Sequence, residues 1–192
     1  FVVAGSGFTG IEMAGELLEW KTKLAHDYRV DESEVRLLVV EAMSTILNML
    51  DRKQADKAEK YMVKHGVEVL KDSPIVEVSS NGITLKNGQT IPTQPLIWTC
   101  GVQANQEAKE YGLKTARAGR LEANKYMEAI GKKDVYVVGD IAYYEEEAGK
   151  PNPQIVEAAE QTAVTAVKNI IASIENSDKK TEFKSNYHGF MV

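Results

Sequence analysis

A single cysteine, Cys100, stands in 192 residues. An internal disulfide framework is therefore excluded, and so is a zinc site built on cysteines; a reducing cytosol suits that usage. No apolar run approaches the roughly 20 residues that cross a bilayer. Cationic charge is in deficit, with 23 Lys and Arg against 28 Asp and Glu and a net charge of -5, so no broad basic field exists to hold phosphate backbones. Nucleic acid is thus not expected as a partner. The three histidines, His26, His65 and His188, are scattered without metal-ligand spacing or a nucleophile partner, and they read as surface or packing residues. No internal repeat or low-complexity stretch appears. What is present, 43% hydrophobic and 27% charged residues, suits an ordinary folded core for one large domain, or one small domain and part of another.

The patterning begins at once. Phe1-Val2-Val3-Ala4 is an apolar run leading into Gly5-Ser6-Gly7-Phe8-Thr9-Gly10, after which Ile11, Ala14, Leu17, Leu18 and Leu24 recur at near-helical spacing. That order predicts strand, tight turn and helix. After a polar stretch from Trp20 to Glu34, residues 35–40 form a second buried strand ending at Glu41, parallel to the first. Asp51 can cap a helix whose Ala55, Ala58 and Met62 share a face, with Gly66 as its left-handed stop and Val67 to Leu70 as a third strand. Turns at Asn81-Gly82 and Asn87-Gly88 divide 75–78, 83–85 and 90–92 into an antiparallel meander, and 96–99 returns to the sheet. Beyond Gly101 the pattern weakens. A buried strand over Asp134 to Asp140 and an Ala-rich helix from Gln154 to Ile174 are expected, while Glu145-Glu146-Glu147 reads as a solvated loop.

The fold class is α/β: a Rossmann-like doubly wound parallel sheet with an antiparallel meander over residues 1–101. Residues 102–192 would form the C-terminal part of a second dinucleotide domain. Phe1 enters a strand with no signal-peptide pattern before it, and Asn186 to Val192 stops on an apolar alternation, as if a further strand were cut. Both ends read as boundaries inside a longer protein. The edge of the 135–138 strand would lack neighbours, and a homodimer is held open on that ground.

Gly5, Gly7 and Gly10 match G-x-G-x-x-G between strand and helix. Glycines there allow the tight turn, the approach of a pyrophosphate and close helix packing, and the helix N-terminus favours the anion. A merely structural glycine turn is the alternative. Glu41 ends the second strand, where a carboxylate accepts ribose hydroxyls and repels a 2′-phosphate, favouring NADH over NADPH. Its 36-residue separation from Gly5 exceeds the usual spacing of about 20 and implies that 20–34 lengthens the first helix or its exit. A solvated strand end is the plainer reading of Glu41. Cys100 has no C-x-x-C companion and reads as a small buried packing residue.

Val3 to Leu17, with its Gly-Phe-Thr-Gly-Ile-Glu turn, Trp98-Thr99-Cys100-Gly101-Val102 and Asp134 to Asp140 together resemble the type II NADH:quinone oxidoreductases. These are membrane-associated flavoproteins with two dinucleotide domains. The resemblance implies that Gly5, Gly7, Phe8, Thr9, Gly10 and Glu41 hold NADH. Glu12 would lie near nicotinamide and flavin, unless it is only a first-turn acid favoured by the helix dipole. Thr99 and Gly101 would mark the crossing between domains. Gly139 and Asp140 would meet the FAD ribityl chain, and the helix after Pro153 would face the flavin. Where the family places an Ala-Gln pair and a later Gln at the quinone, this chain has Val156-Glu157 and Gln161. The resemblance further implies hydride transfer from NADH to FAD, then electrons to a quinone in the respiratory chain. The parent would sit peripherally on the cytoplasmic side of the membrane, held by a region outside this chain, and its first FAD motif would precede Phe1. A soluble flavin reductase with another acceptor, or a non-catalytic NADH-binding module, are the alternatives.

Overall fold

The computed structural model describes residues 1–188, so residues 189–192 of the C-terminal alternation lie outside the described residues. The chain divides into two compact units, one of residues 1–101 and one from residue 102 onward.

The first unit is built on four parallel strands. β1 (Val2–Ala4), β2 (Leu37–Val40), β3 (Val67–Leu70) and β7 (Leu96–Trp98) lie in the order β3-β2-β1-β7. Val3 faces Val39 on one side and Ile97 on the other. Successive side chains leave opposite faces of a strand, so the buried runs sort into two sets. Val2, Leu38 and Val40 meet Ile83, Leu85 and Ile91 of the meander β4 (Ile75–Ser79), β5 (Gly82–Leu85) and β6 (Thr90–Pro92). Val3, Leu37 and Val39 meet Ala14 of α1 (Phe8–Tyr28) and Met62 of α2 (Arg52–Lys64). Burial of each such Val or Leu is worth roughly 1.5–3 kcal/mol, so both layers hold the sheet.

The local signals act as expected. Asp51 caps α2 by accepting from the Gln54 amide at 3.1 Å, and Gly66 beyond it has φ +91°. α1 runs for 21 residues and stops at Arg29, which is left-handed at φ 55°. That length, with the 3-10 turn Glu32–Glu34 after it, accounts for the wide separation of Gly5 and Glu41.

The second unit is assembled differently. β8 (Leu121–Glu122) pairs in parallel with β9 (Ala142–Tyr143), and β10 (Glu145–Glu147) forms a hairpin with β11 (Lys150–Pro151). α3 (Val156–Ile174) buries Ala158, Thr162, Thr165, Ala166, Asn169 and Ala172. The strand expected over 134–140 is not formed. Val137 N donates to Met127 O and Ala129 N to Val135 O, but only the Glu128↔Tyr136 bridge results. Left-handed Met127 (φ 62°) and Asp134 (φ 59°) turn both chains out of register at that point, which ends the ladder. The acidic run is likewise no plain loop but β10, because Gly149 at φ +79° turns the chain back and its amide binds Glu145.

Candidate functional site

The glycine turn lies between β1 and α1, at the C-terminal ends of the parallel strands. Chain order changes direction there, with β2 and β3 on one side of β1 and β7 on the other. Ligands of open parallel sheets bind at such a switch point. The three glycines do different work. A Cβ on Gly5, whose φ is +93°, would lie 2.7 Å from Thr99 O. A Cβ on Gly10 would lie 2.0 Å from Gly5 O and 2.7 Å from Thr99 Oγ1. Both positions are therefore closed by the protein's own backbone. Around Gly7 no described atom beyond its chain neighbours lies within 4 Å of a Cβ, and its φ of -69° suits any residue. Gly7 is thus the N-cap of α1, and its Cβ position at the helix N-terminus is open.

Thr99 locks β7 to this turn. Its amide donates to Ala4 O at 2.8 Å, and its Oγ1 donates to Ala4 O at 2.7 Å and reaches Gly5 O at 3.2 Å. Gly101 follows at φ +89° with an open Cβ position. Cys100, expected to be buried, is exposed: it lies beyond the last ladder residue, and Thr99 takes the inward place. Partial desolvation, then the Glu41 charge, pushes its thiol pKa up, which keeps it protonated and unreactive.

Glu41 reaches the turn itself. Its Oε2 accepts from Ser6 N at 2.9 Å and Ser6 Oγ at 2.5 Å, and its Oε1 accepts from Met43 N at 2.8 Å. Ser6 is buried, and its carbonyl accepts from Leu47 N at 3.0 Å. Residues 41–47 thus wrap the turn, a role that Ser6 and Leu47 do not announce in the sequence. The solvated-end reading of Glu41 gives way to a carboxylate placed against the glycine turn. Phe8 opens α1 and packs partly against Ile46 and Leu47, while Thr9 is exposed. Glu12 is also exposed and is the fifth residue of α1. It lies outside the first turn, which contains no acid, so the helix-dipole reading does not apply.

In the second unit, Gly139 and Asp140 open the 3-10 turn Gly139–Ile141. Gly139 is left-handed at φ +70°, and its amide donates to the buried Thr162 Oγ1 at 3.0 Å. The Asp140 side chain is exposed, and its carbonyl accepts from Gln154 Nε2 at 3.2 Å. The Gly-Asp turn is thereby tied to the start of α3. Glu157 and Gln161 share a face of α3 and hold the chain after it. Glu157 Oε1 meets His188 Nδ1 at 2.7 Å, and Gln161 exchanges two bonds of 2.9 Å with the Asn186 backbone. The His188 hydrogen bond holds the Glu157 carboxyl below its usual pKa. Among the described residues no group of His, Cys, Asp and Glu could hold a metal.

Residues 1–163 match the family described as pyridine nucleotide-disulphide oxidoreductase. A type II NADH:quinone oxidoreductase of Staphylococcus haemolyticus is 30% identical over 187 residues, covering 95% of this chain and 46% of the relative. That of Staphylococcus epidermidis is 32% identical over 173 residues, covering 88% and 43%. The chain spans less than half the length of these relatives. A pyridine nucleotide-disulfide family oxidoreductase from Enterococcus faecalis V583 aligns with TM-score 0.72 at 18% identity, over 95% of this chain and 40% of that one. NDH2 from Plasmodium falciparum, in complex with NADH, aligns with TM-score 0.66 at 18% identity, over 74% and 31%; both are likenesses of fold. The match over residues 1–163 includes the glycine turn, Glu41, Thr99 and the Gly139-Asp140 turn, and the chain belongs to the pyridine nucleotide-disulphide oxidoreductase family.

Proposed function

We propose that this chain is the NADH-binding portion of a flavoprotein NADH:quinone oxidoreductase, joined to part of its FAD site. The open space before Gly7, beside the closed Gly5 and Gly10, carries the reading. Packing closes the outer two positions. Here the central one is left for a pyrophosphate, which the α1 N-terminus stabilises. Glu41, against Ser6, is placed to accept the adenosine ribose hydroxyls once a nucleotide displaces part of its hydrogen bonding. Glu12 and the exposed Thr9 lie along the same end of α1 and would meet the nicotinamide side.

For FAD the fit is partial. The exposed Asp140 carboxylate and the start of α3, which no side chain caps among the described residues, offer a hydroxyl acceptor and a positive helix end. Among the described residues, the strand–glycine–helix turn that a second diphosphate needs is absent, the one such turn being that after β1. When both groups are bound, NADH supplies the hydride and the flavin accepts it. The chain's own share is to hold the dinucleotide, orient it and exclude water. The quinone acceptor rests on the names of the relatives, since Glu157 and Gln161 are engaged with residues 186–188. The parent would work at a membrane surface through a region outside this chain. No helix among the described residues is long and apolar enough to cross a membrane.

Calorimetry of the chain with NADH and NADPH tests the reading. NADH is expected to bind at least about 10-fold more tightly, since one lost charge-assisted bond and one like charge exceed 1.4 kcal/mol. Equal binding would remove Glu41 from the site. The purified chain is also expected to be colourless and inactive with added FAD and a soluble quinone. A yellow, active chain would transfer the glycine turn from NADH to FAD.

A further inference from the structure

The tight turn asks for the glycines on either side of Ser6 and leaves the residue between them free to vary. Here that residue is a serine with 2% exposure. Its backbone is pinned on both sides, since Gly5 N donates to Val40 O at 2.9 Å and Ser6 O accepts from Leu47 N at 3.0 Å. The backbone of Glu41 is pinned as well, its amide donating to Leu70 O and its carbonyl accepting from Ser73 N, each at 2.8 Å. What keeps its freedom in this corner of the first unit is the long Glu41 side chain.

Ser6 removes most of that freedom. Its hydroxyl and its amide both donate to Glu41 Oε2, at 2.5 and 2.9 Å, while Met43 N donates to Oε1 at 2.8 Å. Of these three donors, only the hydroxyl depends on a side chain, and a hydrogen bond to a carboxylate is about twice as strong as a neutral one. A carboxylate oxygen accepts about two hydrogen bonds, so Ser6 fills Oε2, and Oε1 keeps an acceptor position beside the Met43 amide. Among the described residues the ion pairs of the first unit engage other acids, Lys23 with Asp27, Arg36 with Glu68, Arg52 with Asp56 and Lys71 with Glu59. Hydrogen-bond donors rather than a cation therefore hold Glu41, and its charge is left to act on a ligand.

We infer that Ser6 sets the preference between NADH and NADPH by holding Glu41 in place. The inference rests on the ribose role of Glu41 proposed above. With Oε2 anchored, Oε1 is the oxygen left for a ribose hydroxyl, and the carboxylate cannot swing aside for a 2′-phosphate. An unanchored Glu41 would turn toward water when a 2′-phosphate arrives, and the like-charge contact that discriminates would be relieved. Ser6 is a positioning residue, since it acts on the nucleotide through Glu41.

Calorimetry with NADH and NADPH on wild type, Ser6→Ala, Glu41→Gln and the double variant tests it. The quantity read is the ratio of the two dissociation constants. A fall in the folded fraction weakens both nucleotides alike and leaves that ratio unchanged. Wild type is expected to prefer NADH by at least about 10-fold. Ser6→Ala should shrink the preference by roughly 3-fold or more, as NADH loses a fixed acceptor and NADPH escapes a fixed charge. In the Glu41→Gln background the same substitution should leave the ratio unchanged, because two residues that act through one contact are not additive. A Ser6→Ala ratio equal to that of wild type, or an equal change of ratio in the Glu41→Gln background, would overturn the role of Ser6 and leave that of Glu41 standing. A wild type without preference would remove Glu41 from the site, and Ser6 with it.

Discussion

In the first unit, β1 and β2 are buried at every residue, and each face of the sheet has its own apolar partner layer. In the second unit, α3 turns Ala158, Ala166, Ala172, two threonines and Asn169 inward, while Val156, Val164, Val167, Ile171 and Ile174 stay exposed. The first unit is thus held chiefly by area removed from water. The second has smaller apolar clusters, around Leu121 and Val137 and around Met127 and Phe183, and adds buried side-chain hydrogen bonds: Asn169 binds the carbonyls of Tyr126 and Thr181 and the Thr181 amide, at 2.7–2.9 Å. Bonds of this kind tolerate no substitution of type, whereas a packed layer tolerates changes that conserve volume.

The largest expected effect breaks the first unit from its tightest point. Gly10→Ala should destabilise that unit by about 3 kcal/mol or more, because its Cβ has backbone 2.0 Å away and nowhere to move. Thermal unfolding by circular dichroism reads it, and a wild-type melting temperature would sink the geometry. Gly7→Val sharpens the same comparison, since that position is open. The melting curve should stay within a few degrees of wild type while NADH affinity falls by roughly 100-fold or more. If fold and binding fall together, the turn is structural only.

For the second unit, Asn169→Ala should cost about 2–4 kcal/mol, as three bonds vanish and buried backbone groups lose their partners. Hydrogen exchange should show the Thr181 amide losing protection while 2–4 and 37–40 keep theirs; uniform loss across both units would contradict the contrast. Smaller again, Glu41→Gln should reduce the preference for NADH over NADPH to within about 3-fold, through loss of the like-charge penalty. Competitive calorimetry measures the ratio, and a retained preference would place the selectivity elsewhere.

The smallest effect is a pH dependence confined to the tail of the second unit. Glu157 has a folded-state pKa below its unfolded one, so its contribution is present above the unfolded value and lost as pH falls through the folded value. Both groups of the Glu157–His188 pair are solvent-accessible, so only the hold on residues 186–188 should loosen. His188 ring shifts followed by NMR through the acidic carboxylate range should report it, and Glu157→Gln should flatten that response. An unchanged profile in the variant would rule the pair out.

Much of the first unit was legible in residues 1–101. Alternating and continuous apolar runs, Asp51, Gly66 and the Asn-Gly turns are short-range signals, and each specifies backbone conformation within a few residues. The glycine turn was legible for the same reason. Glu41 could be picked out as a strand end, but its contact with Ser6, 35 positions away, needed the pairing of β1 with β2. In the second unit the run 134–140 has strand composition, yet the left-handed Met127 and Asp134 decide that no ladder forms. Cys100 became exposed because Thr99 took the inward place. Arg120, an ordinary arginine in sequence, is buried only because β8 pairs with β9 and brings it beneath Ala142 and Asn152. The sequence by itself determined local conformation, the apolar faces and the place of the glycine turn, since these depend on neighbours along the chain. Tertiary structure alone decided which distant donors met acceptors and which were left without them, since desolvation and hydrogen bonding depend on neighbours in space.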